Sequence, residues 1–361
     1  MKSLEECEAY FKSYISSQAQ AAETHRKNFV GYWRIEMTRT LMISAVIIVV
    51  GVTAGSYIED DGSLGFLLLK SAPVIGSIIW ILIKMFTLGF KYLGKLDEFR
   101  RYYRENITQR MLKFMVPDLT YKPEEGIDTE IIESSMIVPI YFTHSEFSSK
   151  YLLESHDLLE GDFNGVDAKT SMISLERRAD RVQCDPAGGL FFRAKLEKEF
   201  EGSVVIRREF TEKYLGKALS NFVDDIRTSL GDNSEKNYFD SDENKTDSAK
   251  WQSLERYNVE NQEFENYYRV KTSDPQLAKS LLTDKRISNM LDIATAGDLL
   301  VQFAFHDSYF SAYFFRDNAH LFDVAIEDVN KKVNNFDHFS KLHHELGVVN
   351  LMAQGIVKES A

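Results

Sequence analysis

Two apolar runs interrupt an otherwise mixed chain, at residues 41–58 (LMISAVIIVVGVTAGSYI) and 64–83 (LGFLLLKSAPVIGSIIWILI). The first carries no charge. At about 1.5 Å per helical residue its length covers roughly 27 Å, close to the hydrocarbon thickness of a bilayer. Its Ser and Thr hydroxyls can bond carbonyls one turn back, which makes them cheap in lipid. The second run is bracketed by Lys70 and Lys84, and Pro73 falls near its start, where a missing N–H is tolerated. Lys70 can snorkel to the outer headgroups, while Trp33, Trp80 and Lys84 take the place of interface anchors. The pattern predicts two transmembrane helices, residues 41–58 and 64–90, joined by a short acidic loop at 59–63 that holds Glu59, Asp60 and Asp61. Forty mostly polar residues before the first run argue against a signal peptide.

Basic residues set the orientation. Arg26, Lys27, Arg34 and Arg39 precede the first run, and Lys91, Lys95, Arg100, Arg101 and Arg104 follow the second, whereas the loop has none. The positive-inside rule then places both termini in the cytoplasm, an expectation of a two-pass protein of the bacterial inner membrane. Gly51 and Gly55 form a small-xxx-small pattern that would let helix backbones approach closely, within the pair or between subunits of a homo-oligomer.

The flanks keep a helical period. Leu4, Cys7, Phe11, Tyr14, Ile15, Ala19 and Ala22 make residues 1–40 an amphipathic stalk arm. Leu93, Leu96, Phe99, Tyr103, Ile107, Met111 and Phe114 extend the second helix through a stalk at 91–117, which Pro117 ends. Leaving the bilayer side by side, the arms predict an antiparallel stalk. Residues 118–361 change character. Residues 121–126 read as turns and 128–135 as a short helix capped by Asp128 or Thr129. Asn164-Gly165 signals a hairpin within 161–175, and residues 188–195 and 202–207 read as strands. Residues 211–223 read as a helix. Residues 224–250, with eight acidic and four basic residues, read as a flexible loop. Strands follow at 251–259 and 264–271, helices at 275–283 and 286–294 with Asp274 as a cap, and a hairpin folds around His306–Ser308. A last helix falls at 323–333 or 336–351. The fold expected is α+β, with mostly antiparallel strands and flanking helices.

Composition narrows function without naming it. A net charge of −12 over 361 residues opposes a general nucleic-acid binder, and two cysteines, Cys7 and Cys184, are too few for a disulfide framework. The 25 Phe and 17 Tyr fit a β-containing core. No chemical constellation stands out. His338 and His343 are five apart, the wrong spacing for a helical metal pair, so with His344 and Glu345 they read as a polar helix face. Cys184 beside His156 or His144 reads as a loop cysteine rather than a nucleophile. Gly188-Gly189 precedes a strand, so it cannot cradle phosphate at a helix start. The carboxylates of residues 260–265 read as the outer face of a strand or turn. The pairs Phe191-Phe192, Tyr267-Tyr268 and Tyr309-Phe310 read as core. No catalytic residue, cofactor or metal is expected.

Several short motifs in order do carry a resemblance: Tyr121-Lys-Pro, Ser134-Ser135, LLEG at 158–161 and GGLFF at 188–192, then Glu263-Phe264-Glu265, Ser273-Asp274 and Leu281-Leu282-Thr283. The chain resembles the bacterial membrane family with domain of unknown function 3137. That resemblance implies two spans ahead of a cytoplasmic domain and, by family association, a LemA-type membrane protein as a partner. The expectation is a membrane-anchored, non-enzymatic binding or scaffold protein that presents its α+β domain to a protein or small ligand. The alternatives are an oligomeric effector or sensor whose helices form a pore or pass a signal, and a membrane-tethered enzyme.

Overall fold

A computed structural model describes residues 1–56, 64–138, 151–177, 187–208, 253–295, 300–316, 322, 332 and 334–358, apart from the side chains of 54–56, 64–74, 77, 151–152, 175–177, 187 and 316. The described residues form two compact units: Met1–Cys7, Leu112–Phe322 and Phe339–Ala361 in one, Glu8–Met111 and Asp323–His338 in the other.

The helical unit is built on long elements. Helix α1 (Leu4–Tyr10) passes through a π turn (Phe11–Ile15) into α2 (Ser16–Ser56). Helix α3 (Leu64–Tyr103) passes through a second π turn (Arg104–Thr108) into α4 (Gln109–Met115). His25 stacks on Phe99 at 6.3 Å, Phe29 stacks on Tyr92 at 5.0 Å, and Trp33 also meets Tyr92 at 5.0 Å. Rising numbers on α2 meet falling numbers on α3, so the two run antiparallel along this contact. The helical reading of residues 2–40 and 84–115 holds, with Val116 and Pro117 beyond the helix end. The acidic loop at 59–63 lies outside the described residues.

The other unit holds a nine-stranded antiparallel sheet: β1 (Leu119–Lys122), β2 (Tyr151–Asp162), β3 (Asp167–Arg177), β4 (Ala187–Lys195), β5 (Ser203–Arg208), β6 (Glu255–Tyr257), β7 (Tyr268–Thr272), β8 (Val301–His306) and β9 (Tyr309–Arg316). Its strand order is β1-β2-β3-β4-β9-β8-β5-β7-β6. The central strands β5 and β8 are buried on both faces along most of their length, which explains their near-continuous apolar reading. Asn164 and Gly165 take positive φ between β2 and β3, and Asp307 and Ser308 do so between β8 and β9, giving the twist that tight hairpins need. One face is covered by residues 127–138, where Ile127, Ile132, Met136 and Val138 pack with Ile173, Phe191, Val205, Ala304 and Tyr313. The fold is α+β as expected.

Short helices are fixed by their caps. Asp128 accepts from the Glu130 amide at the head of α5 (Thr129–Ser134). Asp274 does the same for Gln276 ahead of α7 (Pro275–Leu281), with Pro275 in the first turn. Helix α8 (Asp284–Thr295) follows, with Arg286 buried and donating to the carbonyls of Leu281 and Ile356. Helix α9 (Asp337–Met352) runs into a π turn (Ala353–Val357).

Two readings are corrected. Residues 264–267 are not strand but the end of helix α6 (Gln262–Tyr267). Asn261 accepts from the Phe264 amide at 3.0 Å as its N-cap, and this local signal outweighs the aromatic alternation. Glu265 accordingly sits on a helix, accepting from the Val259 amide at 2.7 Å. Residues 119–122 are strand, because β1 pairs with residues 158–161 of β2 and supplies that edge with hydrogen bonds. Residues 211–223 and 224–250 lie outside the described residues, as does nearly all of 323–333.

Candidate functional site

Helix α2 is patterned inside out. Leu41, Met42, Val46, Val49, Val50 and Val52 are exposed, while Thr40, Ser44 and Gly51 are buried. At 100° per residue Thr40, Ser44 and Gly51 return to within about 20° of Trp33, the face that touches Tyr92 of α3. The buried hydroxyl of Ser44 donates to the Thr40 carbonyl at 2.8 Å, so the helix satisfies its own polar group. Helix α3 continues the theme with exposed Ile75, Ile78, Ile79, Leu82, Ile83 and Phe86. Among the described residues one helix, Leu4–Thr53, is long and apolar enough to cross a membrane, with a best-window mean hydropathy of 1.9.

Trp33 is half-buried against Tyr92, Trp80 is half-buried, and Lys84 is exposed with its Nζ 6.0 Å from the Trp80 ring centre. The side chain of Lys70 and the surroundings of Gly55 lie outside the described residues.

Sequence reasoning missed two polar clusters on the sheet. At the start of β5, Ser203 Oγ lies 2.7 Å from His306 Nδ1, and His306 Nε2 lies 3.2 Å from Asp307 Oδ2. The residue types suggest nucleophilic catalysis, but the described surroundings do not supply it. An acyl-transfer site needs backbone donors aimed at a developing oxyanion. Here the Ser203 amide donates to Ser273 Oγ at 2.8 Å, and the Gly202 amide donates to Asp307 Oδ1 at 3.1 Å. Ser308 likewise accepts from the Phe200 amide and donates to its carbonyl. The cluster ties the β8–β9 turn to the entry of β5. Its parts stand a hundred residues apart, so only the adjacent His306 and Asp307 could have signalled it.

The second cluster sits where β2 bulges between His156 and Leu159. Asp157 is buried with φ +57°. The Tyr121 hydroxyl donates to its Oδ1, and His156 Nδ1 lies 2.7 Å from its Oδ2. The Asp157 and Leu158 amides donate to the carbonyls of Pro123 and Glu125. A Cβ at Gly126 would stand 2.3 Å from the Ser155 carbonyl, so only glycine lets the strap lie so close. Asp157 therefore spends its oxygens on Tyr121 and His156, while the backbone amides of the bulge hold residues 123–126 over it.

Of the other candidates the paired aromatics named next are core as read, whereas Glu345, read with His338, His343 and His344 as a polar helix face, is buried. Phe191, Phe192, Tyr268, Phe310, Tyr313 and Phe314 are core, and burial pushes the Tyr268 and Tyr313 hydroxyls well above the usual tyrosine range. His343 Nε2 lies 2.9 Å from the Lys2 carbonyl on an exposed surface, and the described residues contain no group of three potential metal ligands. Cys184 and His144 lie outside the described residues.

No curated protein matches the chain. Among solved structures, the crystal structure of the mycobacterial trehalose monomycolate transport factor A, TtfA, is similar at 6% identity, covering 68% of this chain and 95% of that one. With a TM-score of 0.28 that likeness fixes neither fold nor function. Residues 188–357, which include nearly all of β4 and β5 to β9, match the model of the family described as "Protein of unknown function (DUF3137)".

Proposed function

We propose that this is a two-pass membrane-anchored binding protein of the bacterial inner membrane. Residues 41–58 and 64–90 are the spans, 59–63 faces outward, and both termini are cytoplasmic. The α+β domain is presented to a protein or small ligand, and a LemA-type membrane protein is the partner the family association implies. The observation that supports this reading is the inversion of α2: valines and leucines outward, Thr40, Ser44 and Gly51 inward. In water such an arrangement would expose a contiguous apolar surface far beyond what soluble proteins tolerate, whereas lipid favours it. Gly51, with Gly55, is the close-approach point of the helices, and Trp33, Trp80, Lys70 and Lys84 mark the interfaces.

The test places charges at exposed positions. Val46→Asp and Val50→Asp would be harmless on a water-facing surface. In a span each costs about 2.5 to 3.5 kcal/mol of insertion free energy near the helix centre. The parent should stay with the membrane pellet through alkaline carbonate extraction, and the double variant should lose much of that retention. A parent released by carbonate, or a double variant retained as well as the parent, would overturn the reading.

A further inference from the structure

Beyond the covered part of its face the sheet carries a polar row. Arg193 of β4 stands opposite Ser311 of β9, which stands opposite Ala304 of β8. The next row brings Tyr309 beside His306, and His306 beside Ser203 of β5. These side chains therefore share the face that carries Phe191, Ala304 and Tyr313, at the margin of that cluster.

Arg193 is the unusual member. It is half-buried, its guanidinium carbon lies 4.1 Å from the Tyr309 ring centre, and it has no hydrogen bond or ion pair with any described residue. Burial pulls its pKa down from the usual arginine value, and Tyr309 and Asp307 push back. The Asp307 carboxylate acts on it only at a distance, being held by the Gly202 amide and placed beside His306. Ser311 is 3% exposed, and its hydroxyl, like that of Tyr309, makes no hydrogen bond among the described residues. A partly desolvated cation beside two hydroxyls that make no hydrogen bond among the described residues leaves several donors available to an incoming acceptor. A guanidinium fixed flat by an aromatic ring keeps its donor edge aimed and free for a planar or tetrahedral oxyanion.

We propose that Arg193, with the hydroxyls of Ser311 and Tyr309, binds the carboxylate or phosphate group of a small ligand on the open margin of the sheet. The assignment rests on the reading of this domain as a binding module but not on the membrane anchor, so its failure would leave carbonate-resistant anchoring untouched. The guanidinium supplies two parallel N–H donors, Ser311 adds a donor from the floor, and Tyr309 holds the fork in plane.

Calorimetric titration of the full chain in neutral detergent, with inorganic phosphate and separately with acetate, tests it. At least one anion should saturate with a Kd on the order of 1 mM, as a single charge-assisted contact set gives. Stronger phosphate binding would identify a phosphoryl ligand, and stronger acetate binding a carboxylate. Arg193→Gln should weaken binding by roughly tenfold or more, while Arg193→Lys, which keeps the charge but loses the fork, and Ser311→Ala should each weaken it several-fold. Lys279→Gln, exposed in the last turn of α7, should change nothing. If Arg193→Gln does not fold, Arg193→Lys and Ser311→Ala decide the matter. Failure of both anions to saturate, or variants at Arg193 and Ser311 that bind like the parent, would overturn the proposal.

Discussion

The buried ion pair in the first turns of α2 gives the sharpest energetic prediction. Arg26 Nε donates to Glu23 Oε2 at 2.9 Å and its Nη2 to Oε1 at 3.0 Å. Their side chains are only 1% and 2% exposed, which makes this a desolvated fork rather than a surface contact. Removing one member of such a pair strands a charge and costs about 3 to 5 kcal/mol. Lys27, 3.3 Å from Glu23 Oε1 but largely in solvent, offsets part of that. Arg26→Met should then destabilise the helical unit by about 2 to 4 kcal/mol. Glu23→Leu combined with Arg26→Met should recover much of the loss, with a coupling energy of about 2 kcal/mol. Hydrogen exchange in detergent micelles reads the effect locally. Amides of residues 16–30 that exchange through local opening should speed up about 30- to 700-fold in Arg26→Met and far less in the double variant. Exchange within about threefold of the parent in the single variant, or a double variant as damaged as the sum of its parts, would refute the reasoning.

Three further expectations follow from contacts in the sheet unit. A Cβ at Gly189 would lie 2.2 Å from the Phe314 carbonyl and 2.4 Å from the Tyr313 ring. Gly189→Ala should therefore cost at least about 2 kcal/mol, and an unchanged thermal midpoint would count against this packing. Burial, reinforced by Glu6, pushes the Cys7 thiol up to about 11. Its neutral form thus stabilises the fold below the ordinary thiol range, and that contribution is lost as pH rises toward the folded value. In a Cys184→Ser background native Cys7 should react with a thiol reagent at pH 8 about a hundredfold more slowly than the denatured chain; equal rates would exclude burial. Lys169, then Lys122, hold the Glu160 carboxyl below its usual range. The stability this network adds is present above the unfolded carboxyl pKa and lost as pH falls through the folded one. Glu160→Gln should cost about 1 kcal/mol or less near neutrality and nothing measurable below about pH 3, with the difference shrinking in about 0.5 M salt. A loss of equal size at low pH would contradict the assignment.

What the sequence made legible was local or periodic. The helical spacing of Leu96, Phe99 and Tyr103, the Asn164-Gly165 turn, the Asp274-Pro275 cap and the hairpin around His306–Ser308 all announce themselves within a few residues. The strand reading of 264–267 fails because one capping asparagine fixes the local helix against two aromatic strand signals. The polar clusters were invisible for a different reason. Ser203 reaches His306 only because β5 docks beside β8, and Arg193 meets Tyr309 only because β9 pairs with β4. No spacing rule encodes pairings across such separations. The bulge at Asp157 was hidden as well, since its sequence, SHDLL, gives no sign that an aspartate will take positive φ. The family resemblance fared better, because its GGLFF and Ser273-Asp274 motifs fall inside the segment that matches.

The central claim is that two spans hold a cytoplasmic domain with a short loop outside, and labelling of single cysteines tests it most directly. In a background lacking Cys7 and Cys184, Ser63→Cys would place a thiol in the expected outer loop and Ser253→Cys one on the exposed surface of the α+β domain. With a membrane-impermeant maleimide on intact spheroplasts, the account predicts labelling at position 63 and none at position 253 until the cells are lysed. Labelling at 253 in intact spheroplasts, or a position 63 that reacts only after lysis, would contradict it.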